Sequence, residues 1–271
     1  MDERRPRPRV IAHRGSSEDV AEHTLAAYEK AVDDGADGLE CDVRLSADGH
    51  LVCVHDRRVE RTSNGRGVVS TLELAELAAL DFGAGKRGWD LDDEAEWPDR
   101  TRTGILTLER LLETVLDAPR PLELAIETKH PTRYAGRVEH TLVALLDRFG
   151  LAHPRRGQVT PVRVMSFSQL SLRRVRRLAP SLGTVLLLDR VPLRFRDGAL
   201  PVGVHAVGPG IDVVRRQPRT VRAFQARGHQ VHVWTVNEPD DVRLCVDLDV
   251  DVIITDRPAA VLRQLSGVRD A

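Results

Sequence analysis

Glu40 and Asp42 stand two residues apart in the stretch LECDVRLSADGHLVCVHD, residues 39 to 56, which reads as a short strand, a tight turn and a second strand. Alternation along an extended chain puts Leu39, Cys41 and Val43 on one face and Glu40, Asp42 and Arg44 on the other. On an exposed face, two acids are ordinary. Pointing into a closed core, two like charges about 6 to 7 Å apart along a strand are costly unless something positive lies between them. Glu127 closes a later apolar run, and Lys129 follows two residues on, facing the same way. Ligation by oxygen alone, from Glu40, Asp42 and Glu127 with water and substrate, suits one divalent cation of the hard kind, Mg²⁺ or Ca²⁺. It does not suit a thiolate zinc site. Such a cation offsets the carboxylate repulsion.

Other reactive side chains close apolar runs in the same manner. His13 and Arg14 follow the first run, His55 and Asp56 follow the hairpin, Ser166 and Phe167 end the fourth run, Trp234 ends the seventh, and Asp256 follows the last. Taken singly, each has a plain structural role. A histidine can be a hydrogen-bonded structural group, Arg14 can pair with Glu22 or Asp42, and Lys129 can neutralise Glu127. Trp234 can be core, Asp256 can cap the helix ahead of Pro258, and Asp56 can cap a turn. Ser166 lacks the G-x-S-x-G surroundings of a nucleophile elbow. Three carboxylates, two histidines, an arginine and a lysine at strand ends form a set that accident rarely produces, so convergence on one pocket is expected.

The elements that must position this set alternate. Eight short apolar runs, at 10–12, 38–43, 122–127, 162–166, 184–188, 202–207, 230–234 and 251–255, are separated by helical patterns at 24–34, 108–116, 135–149, 169–178, 218–227, 239–246 and 258–265. Thr24 is placed to cap the first helix, and Gly35 follows its end where a left-handed residue helps. Residues 190–200, with prolines at each side, make a poor helix. Strands and helices in alternation imply parallel pairing, and eight units imply closure into a (β/α)8 TIM barrel, whose strand carboxyl ends carry the chemistry. A doubly wound open sheet is the alternative. It would want G-x-G-x-x-G after the first strand, and His13-Arg14-Gly15-Ser16-Ser17 has one glycine. Residues 57–106 break the rhythm with a loop at 61–65, a short apolar helix candidate at 72–80 and a polar tract holding Trp89 and Trp97. They read as a small insertion after the second strand, a lid or a mere excursion, within a single domain spanning 1–271.

The 271 residues, 41% apolar and 30% charged with a net charge of −1, describe a globular chain and offer no electrostatic reason for nucleic acid. No apolar stretch precedes Val10 and none is long enough to span a membrane, so neither a secretory signal nor a membrane span is expected. Cys41, Cys53 and Cys245 lie in or beside apolar runs and read as reduced core thiols of a cytoplasmic protein. A homo-oligomer is possible, although no exposed apolar stripe argues for one.

The chain resembles the glycerophosphodiester phosphodiesterases over nearly its whole length. The resemblance rests on Ala12-His13-Arg14-Gly15, Glu22-His23-Thr24-Leu25, Gly35 to Val43, Val54-His55-Asp56 and Arg61-Thr62-Ser63-Asn64-Gly65. It continues with Thr107-Leu108-Glu109, Ile126-Glu127-Thr128-Lys129, Val233 to Asn237, and Ile253 to Pro258. The resemblance implies a divalent cation at Glu40, Asp42 and Glu127, acid/base roles for His13 and His55, and phosphate binding by Arg14 and Lys129. It also implies that Phe167 and Trp234 line the pocket for the alcohol side of a glycerophosphodiester. The chain departs from the family pattern where Ala21-Glu22-His23-Thr24 replaces Pro-Glu-Asn-Thr, where Arg57 follows His55-Asp56 in place of proline, and at Thr128 and Asp249. His23 and Arg57 could add positive charge near the phosphate.

A phosphodiester gains equatorial charge during displacement, which Arg14, Lys129 and a cation are the types to stabilise. One histidine protonates the leaving alcohol while the other deprotonates the nucleophile. That nucleophile is either water or the neighbouring glycerol hydroxyl. Two other readings share these residues: a lysophospholipase D-like activity on lysophospholipids, and a barrel that binds phosphodiesters without turning them over.

Overall fold

Eight parallel strands close a ring in the computed structural model, which describes residues 7–83, 100–130, 136–154 and 160–267. Strand β1 (Arg9–His13) lies between β2 (Gly38–Leu45) and β9 (Val252–Thr255). From β9 the ring runs through β8 (Gln230–Val233), β7 (Ala206–Pro209), β6 (Gly183–Leu188), β5 (Val162–Ser166) and β4 (Glu123–Thr128) back to β2. Among the described residues only β3 (Leu51–Cys53) stands apart, antiparallel to β2, as the second arm of the hairpin. The fold is the TIM barrel that alternating elements imply.

The helices are α1 (Leu25–Asp33), α2 (Leu74–Ala78), α3 (Arg100–Thr103), α4 (Leu108–Leu116), α5 (Arg137–Arg148), α6 (Gln169–Leu178), α7 (Ile211–Arg216), α8 (Pro218–Ala226), α9 (Pro239–Asp247) and α10 (Pro258–Gly267). Local chemistry sets their ends. Thr24 accepts from the Ala27 amide and Thr107 from the Arg110 amide, so each satisfies an amide that has no partner within its helix. Gly35 follows α1 at φ 86°, a conformation that costs a residue without Cβ little. In α4 the buried residues are Leu108, Leu111, Leu112 and Val115, the i, i+3, i+4, i+7 spacing of one helix face.

The alternation in β2 sorts its side chains between two environments. Leu39, Cys41 and Val43 point outward into the layer between sheet and helices, where they share a core with Tyr28, Leu111, Leu124 and Leu142. The barrel interior is a smaller cluster of Ile11, Ala125, Met165, Val185, Leu187, Val252 and Ile254. Glu40, Asp42 and Glu127 lie on the inward face, above that plug, and all three are buried. Full burial of one leucine such as Leu39 contributes about 2 kcal/mol, and many such side chains hold the sheet against its helices.

Two expectations need correction. The run 202–207 is strand only at its last two residues, and β7 extends from there to Pro209. Val202 is 89% exposed, Gly203 turns at φ 75°, and pairing begins at Ala206, opposite Val185. Second, α7 was not expected, and two short helices divided at Gln217 stand between β7 and β8. The segment 190–200 holds only a 3₁₀ turn at Leu193–Phe195. The described part of the insertion folds over its own small core of Val52, Val54, Val59, Val69, Leu77 and Phe82. The Trp89 and Trp97 tract lies outside the described residues.

Candidate active site

Strand register brings the acids together. His13 lies opposite Glu40, and Asp42 lies opposite Glu127. One carboxylate oxygen from each of Glu40, Asp42 and Glu127 lies within 4.8 Å of the others. Lys129 Nζ stands 2.9 Å from Asp42 Oδ1 and 2.8 Å from Glu127 Oε1, and Arg14 Nε stands 3.0 Å from Asp42 Oδ2. Lys129 and Arg14 therefore do pair with the acids, as the plainer reading has it, without exhausting them. Asp42 Oδ1 is buried, and its partner is the ion pair with Lys129. A carboxylate oxygen has lone pairs for more than one partner, so Asp42 Oδ1 beside Glu40 and Glu127 is suited to share a cation.

The charge states point the same way. Burial, reinforced by the charge of Asp42, pushes Glu127 up to about 7 and Glu40 well above the usual carboxylate range. Asp42 is held well below that range: the His23 hydrogen bond and the charges of Lys129, His23 and Arg14 override its burial. The oxygen-only donor set of Glu40, Asp42 and Glu127 fits a divalent cation of the oxygen-preferring class.

Each histidine is held by a carboxylate of its own. His13 Nδ1 lies 2.7 Å from Asp256 Oδ1, and His55 Nδ1 lies 2.7 Å from Asp56 Oδ1. Nδ1–H donates in both, which leaves each Nε2 free to exchange a proton. Asp256 is fixed in turn: Ser17 Oγ donates to Oδ1 at 2.8 Å and Asn237 Nδ2 to Oδ2 at 2.6 Å, while Asn237 Oδ1 accepts from the Asp256 amide at 3.0 Å. These donors, His13 first, outweigh burial and hold the Asp256 carboxyl far below its ordinary range. Asp56 accepts from Arg61 Nε at 2.5 Å. Burial pulls His55 down, an effect that Asp42 opposes and that Arg14 and Lys129 reinforce.

The loop after β1 carries left-handed residues at Arg14 (φ 59°) and His23 (φ 61°), a conformation usually left to glycine and seen mostly where function requires it. At Gly15, also left-handed, a Cβ would sit 2.6 Å from the Ala27 carbonyl carbon, so only glycine brings this loop so close to α1.

His13, Arg14, Glu40, His55, Glu127, Lys129, Phe167 and Trp234 line one cavity of about 190 Å³. All the expected site residues except buried Asp42, which lies among them, are on that list. Phe167 meets Trp234 edge to face at 5.5 Å between ring centroids. A second cleft of about 310 Å³ adjoins at His13 and Arg14, lined by Ser17, Glu18, Glu22, Asn237, Asp256 and Arg257.

Some assignments change. The last helix starts at Pro258, so its capping position is Arg257, and the Asp256 carboxylate serves His13 instead. His23 stands away from the cavity lining: it is buried, with Nε2 3.0 Å from Asp42 Oδ2 and Nδ1 2.8 Å from the Tyr28 hydroxyl, which donates to the Glu40 carbonyl. Arg57 is exposed. Arg61 and Asn237 belong to stretches that carry the resemblance but had no role assigned, and Ser17 and Tyr28 carry no local signal, because each acts through a partner distant in sequence.

Comparison with known proteins agrees with this geometry. The model of the glycerophosphoryl diester phosphodiesterase family matches residues 13–260. The chain is 46% identical over 251 residues to probable glycerophosphodiester phosphodiesterase 1 of Mycobacterium tuberculosis, covering 93% of this chain and 90% of that protein. It is 36% identical over 255 residues to the glycerophosphodiester phosphodiesterase of Bacillus subtilis, covering 92% and 83%. Among solved structures, an Oleispira antarctica phosphodiesterase in complex with its product sn-glycerol-3-phosphate shares the fold. Its TM-score is 0.79 at 24% identity, over 96% of this chain and 97% of that one.

Proposed function

The chain belongs to the glycerophosphoryl diester phosphodiesterase family, and we infer that it hydrolyses glycerophosphodiesters to sn-glycerol 3-phosphate and an alcohol with the help of a divalent cation. One observation carries the assignment of roles: two histidines, each backed by its own carboxylate, face a single cavity together with Arg14, Lys129 and the acid trio. That arrangement is what an in-line displacement at phosphorus needs.

Glu40, Asp42 and Glu127 would hold the cation, Mg²⁺ or Ca²⁺, which when bound supplies positive charge against the phosphoryl oxygens. Arg14 and Lys129 are already anchored by acids, so their charges are placed before substrate arrives and need no reorganisation. His13 and His55 divide the proton work: one gives a proton to the leaving alcohol oxygen and the other takes one from the nucleophile. With Nδ1 committed to a carboxylate, each ring presents Nε2 for that transfer. Phe167 and Trp234 supply an apolar wall for the alcohol side of the substrate.

No described helix is long and apolar enough to cross a membrane. Three buried thiols free of disulfides support a reducing compartment such as the cytoplasm.

The test is direct. The protein is incubated with glycerophosphocholine, glycerophosphoethanolamine and bis-glycerophosphate, and released sn-glycerol 3-phosphate is measured. Turnover of at least one is expected, with His13→Ala and His55→Ala each lowering kcat roughly 10²-fold or more in a protein that still folds. Near wild-type turnover in either variant removes that histidine from the mechanism.

A further inference from the structure

We propose that Arg61, in the insertion after the hairpin, is a positioning residue that sets both the His55 side and the Arg14 side of the cavity through a single guanidinium. The proposal rests on the phosphodiesterase reading above for its activity assay.

Its geometry uses every nitrogen. Arg61 Nε donates to Asp56 Oδ2 at 2.5 Å, while its two terminal nitrogens donate to the two oxygens of Glu22, at 2.7 and 2.8 Å. Asp56 holds His55 Nδ1 at 2.7 Å through its other oxygen. Glu22 accepts from an Arg14 terminal nitrogen at 3.1 Å. A continuous chain of charge-assisted contacts therefore runs from His55 through Asp56, Arg61 and Glu22 to Arg14. Its two ends are the groups that line the cavity. The links come from three places in the sequence: the loop after β1, the end of the hairpin and the insertion.

The charges are locked. Burial alone would raise the Glu22 and Asp56 carboxyls, but hydrogen bonds from Arg61 to both, from His55 to Asp56 and from Arg14 to Glu22 hold each at about 2. The Arg61 turn is itself tied to a fixed point. The Thr62 and Ser63 amides and the Ser63 hydroxyl all donate to the Val59 carbonyl, and the Val59 side chain is wholly buried in the small core of the insertion. Arginine suits the task where lysine does not, because a planar fork with fixed donor directions can satisfy a bidentate carboxylate and a second acid together.

A plainer account is a surface ion pair. The Arg61 side chain is 48% exposed, and such pairs contribute little to stability. That is what separates the two accounts, since removal should leave the melting temperature nearly unchanged while the reaction slows.

The decisive experiment measures kcat, KM, melting temperature and the calorimetric affinity for sn-glycerol 3-phosphate in wild type, Arg61→Ala and Arg61→Lys. The control is Arg58→Ala, which removes an exposed pair with Glu60 in the same loop. Arg61→Ala is expected to lower kcat/KM by about 10- to 100-fold. Arg61→Lys should recover only part, added guanidinium should partly rescue Arg61→Ala, and Arg58→Ala should stay within twofold. The single-arm variants divide the loss: Asp56→Asn should fall mainly in kcat, and Glu22→Gln should mainly weaken sn-glycerol 3-phosphate. Activity of Arg61→Ala within twofold of wild type overturns the proposal, as does a loss fully explained by unfolding at the assay temperature. If Arg61→Ala does not fold, wild-type behaviour of both single-arm variants overturns it equally. Should wild type release no sn-glycerol 3-phosphate from any diester, the phosphodiesterase reading fails instead, and the calorimetric arm still decides on Arg61: at least a fivefold weaker affinity supports it, and an unchanged one overturns it.

Discussion

Asp256→Asn is the most informative small change at the site, because it replaces one atom in a network with no spare capacity. Asp256 Oδ1 accepts from His13 Nδ1 and Ser17 Oγ, and Oδ2 accepts from Asn237 Nδ2. An asparagine must put an NH₂ group at one of these oxygens. At the Oδ1 position it meets the His13 donor. At the Oδ2 position it meets the Asn237 donor, and Asn237 cannot turn over without losing the Asp256 amide and the Thr255 hydroxyl, both of which donate to its own oxygen at 3.0 Å. Every arrangement opposes two donors. The His13 ring loses its fixed tautomer or the network loses a link, and general acid or base catalysis by that ring contributes about 10²- to 10⁴-fold. A fall in kcat of about 10²- to 10³-fold is expected, about 3 to 4 kcal/mol in the barrier. The stability loss should be near that of one unsatisfied polar group, about 1 to 3 kcal/mol, so the variant remains folded at 25 °C. The assay is release of sn-glycerol 3-phosphate from glycerophosphocholine, alongside thermal unfolding. A kcat within threefold of wild type would show that Asp256 does not orient a working His13.

Further outcomes follow from other parts of the molecule. EDTA should abolish turnover and Mg²⁺ or Ca²⁺ should restore it; full activity after exhaustive chelation removes the cation from the reaction. Glu139 has a folded pKa of about 2, below the ordinary carboxylate range of about 4. Its stabilisation is complete above about pH 4 and lost as pH falls toward 2. Denaturant midpoints should therefore drop steeply in that window, and Glu139→Gln should flatten the drop; an identical slope in the variant contradicts the assignment. Leu39→Ala, on the outward face of β2, should cost about 2 to 5 kcal/mol in denaturant unfolding. A cost below 1 kcal/mol would mean that β2 is not packed as described.

Much of this architecture can be read in the sequence where the relevant forces are local. Alternation in 39–44 separates the acids from Leu39 and Cys41 because the period of a strand is two, and Thr24 announces α1 because capping is a contact over three residues. The register that sets His13 beside Glu40 and Asp42 beside Glu127 arises only when the ring closes, and no short window contains it. The same holds for Asp256, whose partner His13 lies 243 residues away, and for Arg61, whose carboxylate on Glu22 lies 39 residues back. The run at 202–207 misled because an exposed valine and a buried one look alike in a sequence. The six residues of α7 are too few to display a helical period.

The central claim is that three carboxylates from two neighbouring strands would hold one divalent cation. Crystals soaked in Mn²⁺ and measured at its absorption edge test this directly. A single anomalous peak about 2.0 to 2.6 Å from oxygens of Glu40, Asp42 and Glu127 is expected. A peak elsewhere, or none at saturating Mn²⁺, contradicts the claim.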